Sequence, residues 1–472
     1  MAARERSGNL DRLWALLPVL VPFLVTLTST MGAVDLAYQI RTGDGILATG
    51  ALPRIDTYSF TTSGVRWLDQ QWGAQVTLAL VHRAGGWVAL VVLRAVLIGA
   101  TYGLVYLACR ARGSGRRTSC LLTFAGIALG LRGLALRPQL FALPLLAACL
   151  WVLAGRRDHP RRIWLLPVFA VAMANLHGAF LLVPMFAGLA LLEDLIDRDP
   201  HAGRTLLAGL VATAATLVNP FGVGAWRYAL GIATNPVIRN TISEWRPTSV
   251  STISGAVFAI SVGLLIALFI RRGRPVDLAA IAWLGVFGAI AVPASRGIVL
   301  WGVVAPTVAA RMLRDGETTT TTVPTSRRSI AAAVTVSAAS AIVIPWLRGT
   351  TPDALLTRAP VGLTKAVAGA VPPGTNLYVW QPWGSWFEFA LPDDRVFVDS
   401  RIELFSAAVW GEYNDVRLAR GAWSSILGRY DVGAVVVDAE NVALLPRMRG
   451  QPGWTLIHED EDGAVFVRDD LL

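Results

Sequence analysis

The sequence predicts an α-helical polytopic membrane protein of about eleven transmembrane helices, followed by a C-terminal extracytoplasmic soluble α/β domain. Three observations predict it. Of 472 residues, 54% are hydrophobic and 16% charged, and mean hydropathy is +0.53, whereas soluble domains carry about a quarter charged residues. Apolar runs of roughly 17–25 residues recur through residues 1–347. The net charge of +10 is also divided: residues 349–472 hold 10 Lys and Arg against 17 Asp and Glu, and the remainder holds 32 against 15. The basic excess therefore belongs to the apolar part, where cytoplasmic loops explain it, and nucleic acid is not implied.

The expected spans fall at 14–33, 86–109, 119–136, 140–155, 163–175, 179–196, 205–219, 252–270, 277–293, 297–312 and 329–347. The first is too long for a signal-peptide core and lacks a small-residue cleavage site, so it reads as a retained span. The connecting segments alternate in character. ARERSGNLDR, RARGSGRR, RRDHPRR, RRGR and RMLRDGETTTTTVPTSRR are basic and read as cytoplasmic, with the mixed loop EDLIDRDPHAGR on the same side. The loop 35–85, the turns at 137–139 and 175–178, the loop 219–247 and the turn 293–297 then lie outside. The N-terminus is expected in the cytoplasm and the tail outside a plasma membrane. The run Thr318–Thr322 reads as a low-complexity linker.

Two domains are expected: 1–347, transmembrane, with external loop 35–85, and 348–472, soluble. In the tail, LYVW, RVFVDS, VGAVVVD, WTLIHED and GAVFVRD read as strands, and 403–419 and 440–449 as helices. Glu461-Asp462-Gly463 joins the last two strands as a hairpin. Cys109, Cys120 and Cys149 all sit in or beside apolar runs, so no disulfide framework is expected in the loops.

Polar residues unusual for a membrane protein gather on the external side. The segment 35–72 alone carries Asp35, Asp44, Asp56 and Asp69. Asp35 follows the first span directly, where a carboxylate can act as a base toward an acceptor hydroxyl or be an ordinary helix-end acid. Ile40, Ile46 and Leu47 predict a surface helix over 36–48, with Gly50 near its stop. On it Arg41 and Asp44 read as a local ion pair. Asp56 is a candidate for binding acceptor or metal, or for capping the turn after Pro53. Asp69 reads as an N-cap, and Trp67 and Trp72 as an interfacial belt or a sugar platform.

Arg137 and Arg296, at external span ends, suit a lipid-linked phosphate, since the guanidinium fork matches phosphate oxygens. Snorkelling is the ordinary alternative. Asn175 and His177 place an amide and an imidazole at another external turn. Glu244 and Arg246 add an acid and a base in EWRP, where a structural ion pair is the plainer reading. Of Trp380, Trp383 and Trp386, at least two are expected in the core, and Asp399 and Arg401 end a strand. No P-loop, GxGxxG, GxSxG or HExxH stands in a fitting context, which argues against an ATP-driven pump or a protease.

These motifs together resemble the GT-C superfamily of polytopic glycosyltransferases, which includes protein O-mannosyltransferases and aminoarabinose transferases, and within it a bacterial branch. The resemblance rests on DLAYQIRTGDGILATGALPRIDTYSFT, LRPQLF, NLHGAF, NPFG, EWRP and a tail with WGSW and VFVDSRIELF, in that order. It implies a polyprenyl-phosphate-linked sugar donor, a glycan, lipid or protein acceptor in the cell envelope, an external site at the lipid bilayer and an aspartate base. Asp35 is the corresponding position. A second acid in the same loop would be Asp56 or Asp69, and glutamines stand at Gln70-Gln71, where the branch more often shows an acid. No cofactor is certain, and a divalent metal is left open because metal dependence varies in the superfamily. The alternatives are a non-catalytic envelope protein that binds glycan or lipid or acts as a scaffold, and a transporter of lipid-linked intermediates.

Overall fold

The computed structural model describes residues 2–272, 277–313 and 327–472. The run Thr318–Thr322 lies outside the described residues. The helices, in chain order, are α1 (Ala2–Thr28), α2 (Leu36–Thr49), α3 (Trp72–Ala111), α4 (Arg116–Gly130), α5 (Pro138–Ala154), α6 (Leu166–Leu176), α7 (Leu182–Ile196), α8 (Ala202–Ala215), α9 (Val223–Thr234) and α10 (Pro236–Thr241). They continue as α11 (Ile253–Arg272), α12 (Leu278–Ala291), α13 (Gly297–Met312), α14 (Arg327–Arg348), α15 (Pro352–Leu355), α16 (Val361–Ala370), α17 (Gln381–Ala390), α18 (Ala407–Arg417), α19 (Trp423–Arg429) and α20 (Leu444–Arg449). Helix stands at every expected span. Among the described residues, three helices are long and apolar enough to cross a membrane: Trp72–Ala111, Gly178–Ile196 and Ile253–Arg271. Six shorter apolar helices occupy other expected positions, including Pro138–Ala154 and Gly297–Met312. Within α3 the backbone breaks at Gly85–Gly86, where Gly86 takes φ 59°, so its first turns form a separate helix ahead of the apolar run.

The chain folds into two compact units. The first comprises Met1–Ser29, Val91–Gly231 and Ile242–Arg348. Small residues set its tightest packing: a Cβ at Gly126 of α4 would lie 2.3 Å from the Gly302 carbonyl oxygen of α13. At one end of this bundle the C-terminal ends of α3, α5, α7 and α13 meet in an ion network. Glu193 pairs with Arg112 and, at 2.5 Å, with Arg311. Asp194 pairs with Arg156 and with Arg157 at 3.0 Å, and also accepts from Thr205 at 2.6 Å. Arg157 reaches Asp197 and Asp199 at 2.9 and 2.8 Å, and Arg311 reaches Asp277 at 2.8 Å. The acids come mainly from EDLIDRD, in the mixed loop placed on the same side as the basic ones.

The second unit comprises Thr30–Leu90, Ile232–Thr241 and Gly349–Leu472. The sequence groups the loop 35–85 with the transmembrane part; the compact unit groups it with the C-terminal segment. Backbone pairing explains this. Strand β1 (Met31–Gly32) lies parallel to β2 (Leu356–Thr357). A five-stranded sheet is built from β3 (Asn376–Val379), β4 (Arg395–Val396), β5 (Val432–Asp438), β6 (Trp454–Glu459) and β7 (Gly463–Arg468), in the order β4-β3-β5-β7-β6. β3 is parallel to β4 and β5, and β7 is antiparallel to β5 and β6, as the expected hairpin requires. The loop extends this sheet: Val396 N–H donates to the Tyr58 carbonyl at 3.1 Å, and Phe60 N–H to the Val396 carbonyl at 3.2 Å. β5 reads VGAVVVD and is buried almost throughout, as suits a central strand covered on both faces.

Candidate active site

Asp35 stands as the N-cap of α2, half-buried, with no side-chain bond back to the helix. Gly50 closes the helix in the left-handed region, φ 66°, one residue past the expected end. α2 runs beside the first turns of α3. Gln39 Nε2 donates to Gln71 Oε1 at 3.0 Å. One turn further along both helices, a Cβ at Gly43 would lie 2.1 Å from the Gln75 carbonyl oxygen. The two helices are therefore parallel, and their N-terminal ends lie together.

Asp69 is placed at that end. The expected N-cap role is only partly met. Its carboxylate takes the Gln71 backbone N–H in the turn before α3, and Oδ1 accepts from Gln75 Nε2 at 2.7 Å. The side chain is 2% exposed, and Oδ2 has no hydrogen-bond donor among the described residues. Burial pushes its pKa up to about 7. Glu403 of the C-terminal segment lies within electrostatic reach of both Asp69 and the buried Tyr38, and Asp35 within reach of Tyr38. Asp35, Asp69 and Glu403 thus come from three separate stretches to one end of a helix pair. Glu403 was not singled out from the sequence, where it is one charge in SRIELF.

Asp56 has a different position. It is fully buried and accepts from Tyr58 N at 3.0 Å, Thr62 Oγ1 at 2.8 Å and Ser59 Oγ. Arg401 Nη2 lies 2.7 Å from its Oδ1. Burial alone would raise the Asp56 carboxyl. The Arg401 charge and the three hydrogen bonds reverse that and hold it below the usual carboxylate range. A carboxylate so occupied has no lone pair free for a substrate proton. Asp56 is thus held as a buried anion, bound at both oxygens.

Arg401 is the centre of that arrangement. It is 1% exposed, pairs with Asp399, and lies 3.8 Å from Glu388. Its guanidinium stands over the rings of Trp67 and Tyr58 at 4.6 and 4.8 Å. Trp67, 5% exposed, is therefore a core ring in this unit and not a belt or platform residue. Neither Glu388 carboxyl oxygen has a donor among the described residues, and burial together with Asp399 pushes its pKa up. Asp44 pairs with Arg83 at 2.5 Å, not with Arg41. Arg41 donates instead to the Glu388 and Pro392 carbonyls and lies over Tyr58.

In the other unit, Arg137 stands at the N-cap position of α5 and Arg296 at that of α13, neither with a side-chain bond to its helix. Arg137 meets Glu244 at 3.3 Å, and Arg296 donates to Gln139 Oε1 at 3.1 Å while lying 4.4 Å over Trp245. Both line one cleft with Arg132, which was not singled out from the sequence. Ser295 and Arg296 N–H groups bind the Arg246 and Glu244 carbonyls, so EWRP is fixed against the start of α13. The Arg246 side chain is exposed and outside the cleft lining. Two helix N-termini point at this end, and their dipoles favour an anion there.

His177 and Asn175 prove to be local ties. His177 Nδ1 accepts from Ala179 N at 3.0 Å and caps a short turn. Burial and the nearby Arg296 push its pKa down to about 3, so the ring is neutral and Nε2 carries its proton. Asn175 Nδ2 donates to the Val171 and Val218 carbonyls, both at 2.8 Å, joining α6 to the NPFG turn. Among the described residues no group of three His, Cys, Asp or Glu side chains is gathered as a metal-ligand set.

No family model matches the chain, and no curated relative matches it by sequence. Solved structures do. ArnT from Cupriavidus metallidurans in the apo state aligns with a TM-score of 0.54 at 15% identity, over 100% of this chain and 99% of its own. The same protein bound to undecaprenyl phosphate gives 0.53 at 14% identity, over 96% and 97%. The oligosaccharyltransferase AglB from Archaeoglobus fulgidus, with an inhibitory peptide and a dolichol-phosphate, gives 0.55 at 12% identity, over 90% and 69%. These are membrane glycosyltransferases of the GT-C superfamily. At such identities the likeness is one of fold.

Proposed function

We propose, from the premise of a GT-C fold, that the protein is an inverting membrane glycosyltransferase that takes a sugar from a polyprenyl-phosphate donor to a cell-envelope acceptor at the external face. The observation that carries this reading is the end of the α2/α3 pair, where Asp35 stands at the N-cap of α2 and the buried Asp69, in the turn before α3, keeps an oxygen without a donor among the described residues. Asp35 is the general base. The acceptor hydroxyl oxygen bonds to the anomeric carbon as the bond from that carbon to the phosphate oxygen breaks. The hydroxyl proton passes to Asp35, and polyprenyl phosphate leaves with the electron pair. A phosphate leaves without an acid, so stabilising its charge matters most. Within the bundle unit, the cleft lined by Arg132, Arg137 and Arg296 has the charge suited to a phosphate. Asp69 and Glu403 lie within electrostatic reach of each other, and Asp35 and Glu403 of Tyr38. No step is routed through a metal.

The test is turnover. Purified protein is incubated with a panel of polyprenyl-phosphate sugars and release of polyprenyl phosphate is followed. Release by the wild type and none by a folded Asp35→Asn variant supports the reading; wild-type turnover by that variant defeats it. Retained donor binding with no release from the wild type would instead indicate a binding protein. Movement of intact donor across a vesicle membrane would indicate a transporter.

A further inference from the structure

The cleft of the bundle unit holds one group that a simple phosphate site does not need. Its lining carries three guanidinium groups, Arg132, Arg137 and Arg296, and one carboxylate, Glu244. About 480 Å³ of the cleft is unfilled, part of it open to solvent. Glu244 meets Arg137 at 3.3 Å, with the arginine side chain 36% and the glutamate 37% exposed. An ion pair so open to water contributes little to folding.

The loop does not depend on that side chain for its place. The Glu244 carbonyl accepts from Arg296 N at 3.0 Å and from Ser295 Oγ at 3.2 Å, and the Arg246 carbonyl accepts from Ser295 N at 3.0 Å. Thr248 N donates to the Val292 carbonyl at 2.9 Å. The main chain thus ties EWRP to the start of α13 and carries the carboxylate to the cleft. Arg296 is positioned separately, by Gln139 at 3.1 Å and over the Trp245 ring at 4.4 Å.

The charges of the ligands give the carboxylate a use. A donor in which polyprenyl phosphate is esterified to a sugar is a phosphodiester with one negative charge. The polyprenyl phosphate left after transfer is a monoester with about −1.5 to −2 at pH 7. The guanidinium groups attract both. Glu244 repels both, and the repulsion grows with the charge of the ligand. We propose that Glu244 is a specificity-determining residue of this cleft, which weights it towards the phosphodiester donor and against the spent phosphomonoester. Three guanidinium groups alone would hold the more highly charged product tighter than the donor, and its release would then limit turnover. A like charge in the site weakens both ligands and the unwanted one more. The inference rests on the reading of this cleft as the phosphate site.

Full-length protein in nanodiscs is titrated by calorimetry at pH 8 with undecaprenyl phosphate and with its methyl ester, the same lipid phosphate restricted to one charge. Glu244→Gln should tighten the monoester about fivefold and the methyl ester about twofold, with melting temperature unchanged. A structural ion pair would move the melting temperature and not the ratio of the two affinities. The same change in both lipids, no change in either, or weaker binding of the monoester would overturn the proposal, as would a wild type that binds neither lipid. Turnover by Asp35→Asn defeats the transferase reading and leaves these affinities as they are, so the two fail separately.

Discussion

Arg401 Nη2 stands 2.7 Å from Asp56 Oδ1 with both side chains buried, and the pair joins the first loop to the C-terminal sheet within one compact unit. Removing one partner leaves an uncompensated buried charge. Arg401→Met should therefore cost about 3–5 kcal/mol. Asp56→Asn should cost less, because the amide keeps some of the hydrogen bonds. The double variant should be more stable than the two single losses added together, a positive coupling measurable by denaturant unfolding in detergent. The folded Asp56 value is depressed, so its stabilisation is complete above the unfolded value of about 4 and is lost as pH falls through the folded one. Asp56→Asn should flatten the acid limb of the stability curve.

Asp69 should give the opposite slope. Its folded pKa of about 7 is raised, so the native state keeps a proton that the unfolded chain has given up. Stability from this group falls as pH rises from about 4 towards that value, and levels off beyond it. Asp69→Asn removes the slope. Its melting temperature relative to wild type should be higher at pH 8 than at pH 5, as read by scanning fluorimetry at each pH; equal differences would show that the buried acid does not titrate there.

Gly43 and Gly45 share the motif RTGDGIL but should respond oppositely. A Cβ at Gly43 meets backbone of α3 at 2.1 Å, whereas one at Gly45 meets nothing within 4 Å. Gly43→Ala must push α2 and α3 apart, costing at least 1–3 kcal/mol of overpacking and shifting the end that carries Asp35. Gly45→Ala should stabilise α2 by up to about 1 kcal/mol. Melting temperature and turnover, measured on both variants, give the comparison.

Arg137→Gln and Arg296→Gln should each weaken undecaprenyl phosphate binding by about tenfold, one charge-assisted contact apiece. Arg246→Gln, outside the cleft, should change it little. Asp35→Asn should retain that binding and lose turnover. Calorimetry with the lipid phosphate separates these outcomes from a folding defect.

The apolar runs were legible because helix length and hydropathy are local properties, and the valine-rich strands were legible for the same reason. Asp56 was not. In sequence it resembles Asp35, an acid in the same loop, and the arginine that occupies it is contributed by the far end of the chain. Asp44 likewise has an arginine at helical spacing, yet Arg83 of the adjoining helix takes it and Arg41 turns to two carbonyls. Arg132 and Glu403 carried no signal that distinguishes them from other loop charges. Their importance is a matter of which ends of helices come together, and that is decided by packing such as Gly43 against Gln75.

The network around Glu193 and Asp194 has a consequence for how the chain enters a membrane. Arg112, Arg156, Arg157 and Arg311 count as positive while the chain is being inserted, when each loop emerges by itself. Once α7 is docked, five carboxylates surround those four cations. The positive charge of these loops is thus present before α7 docks and neutralised once it has. In the packed bundle Arg156 is buried, while Arg157 stays 39% exposed at the rim, and a helix inserted the wrong way round could not form the network. The same residues read as loop charge in the sequence and as a lock on the packed bundle in the fold.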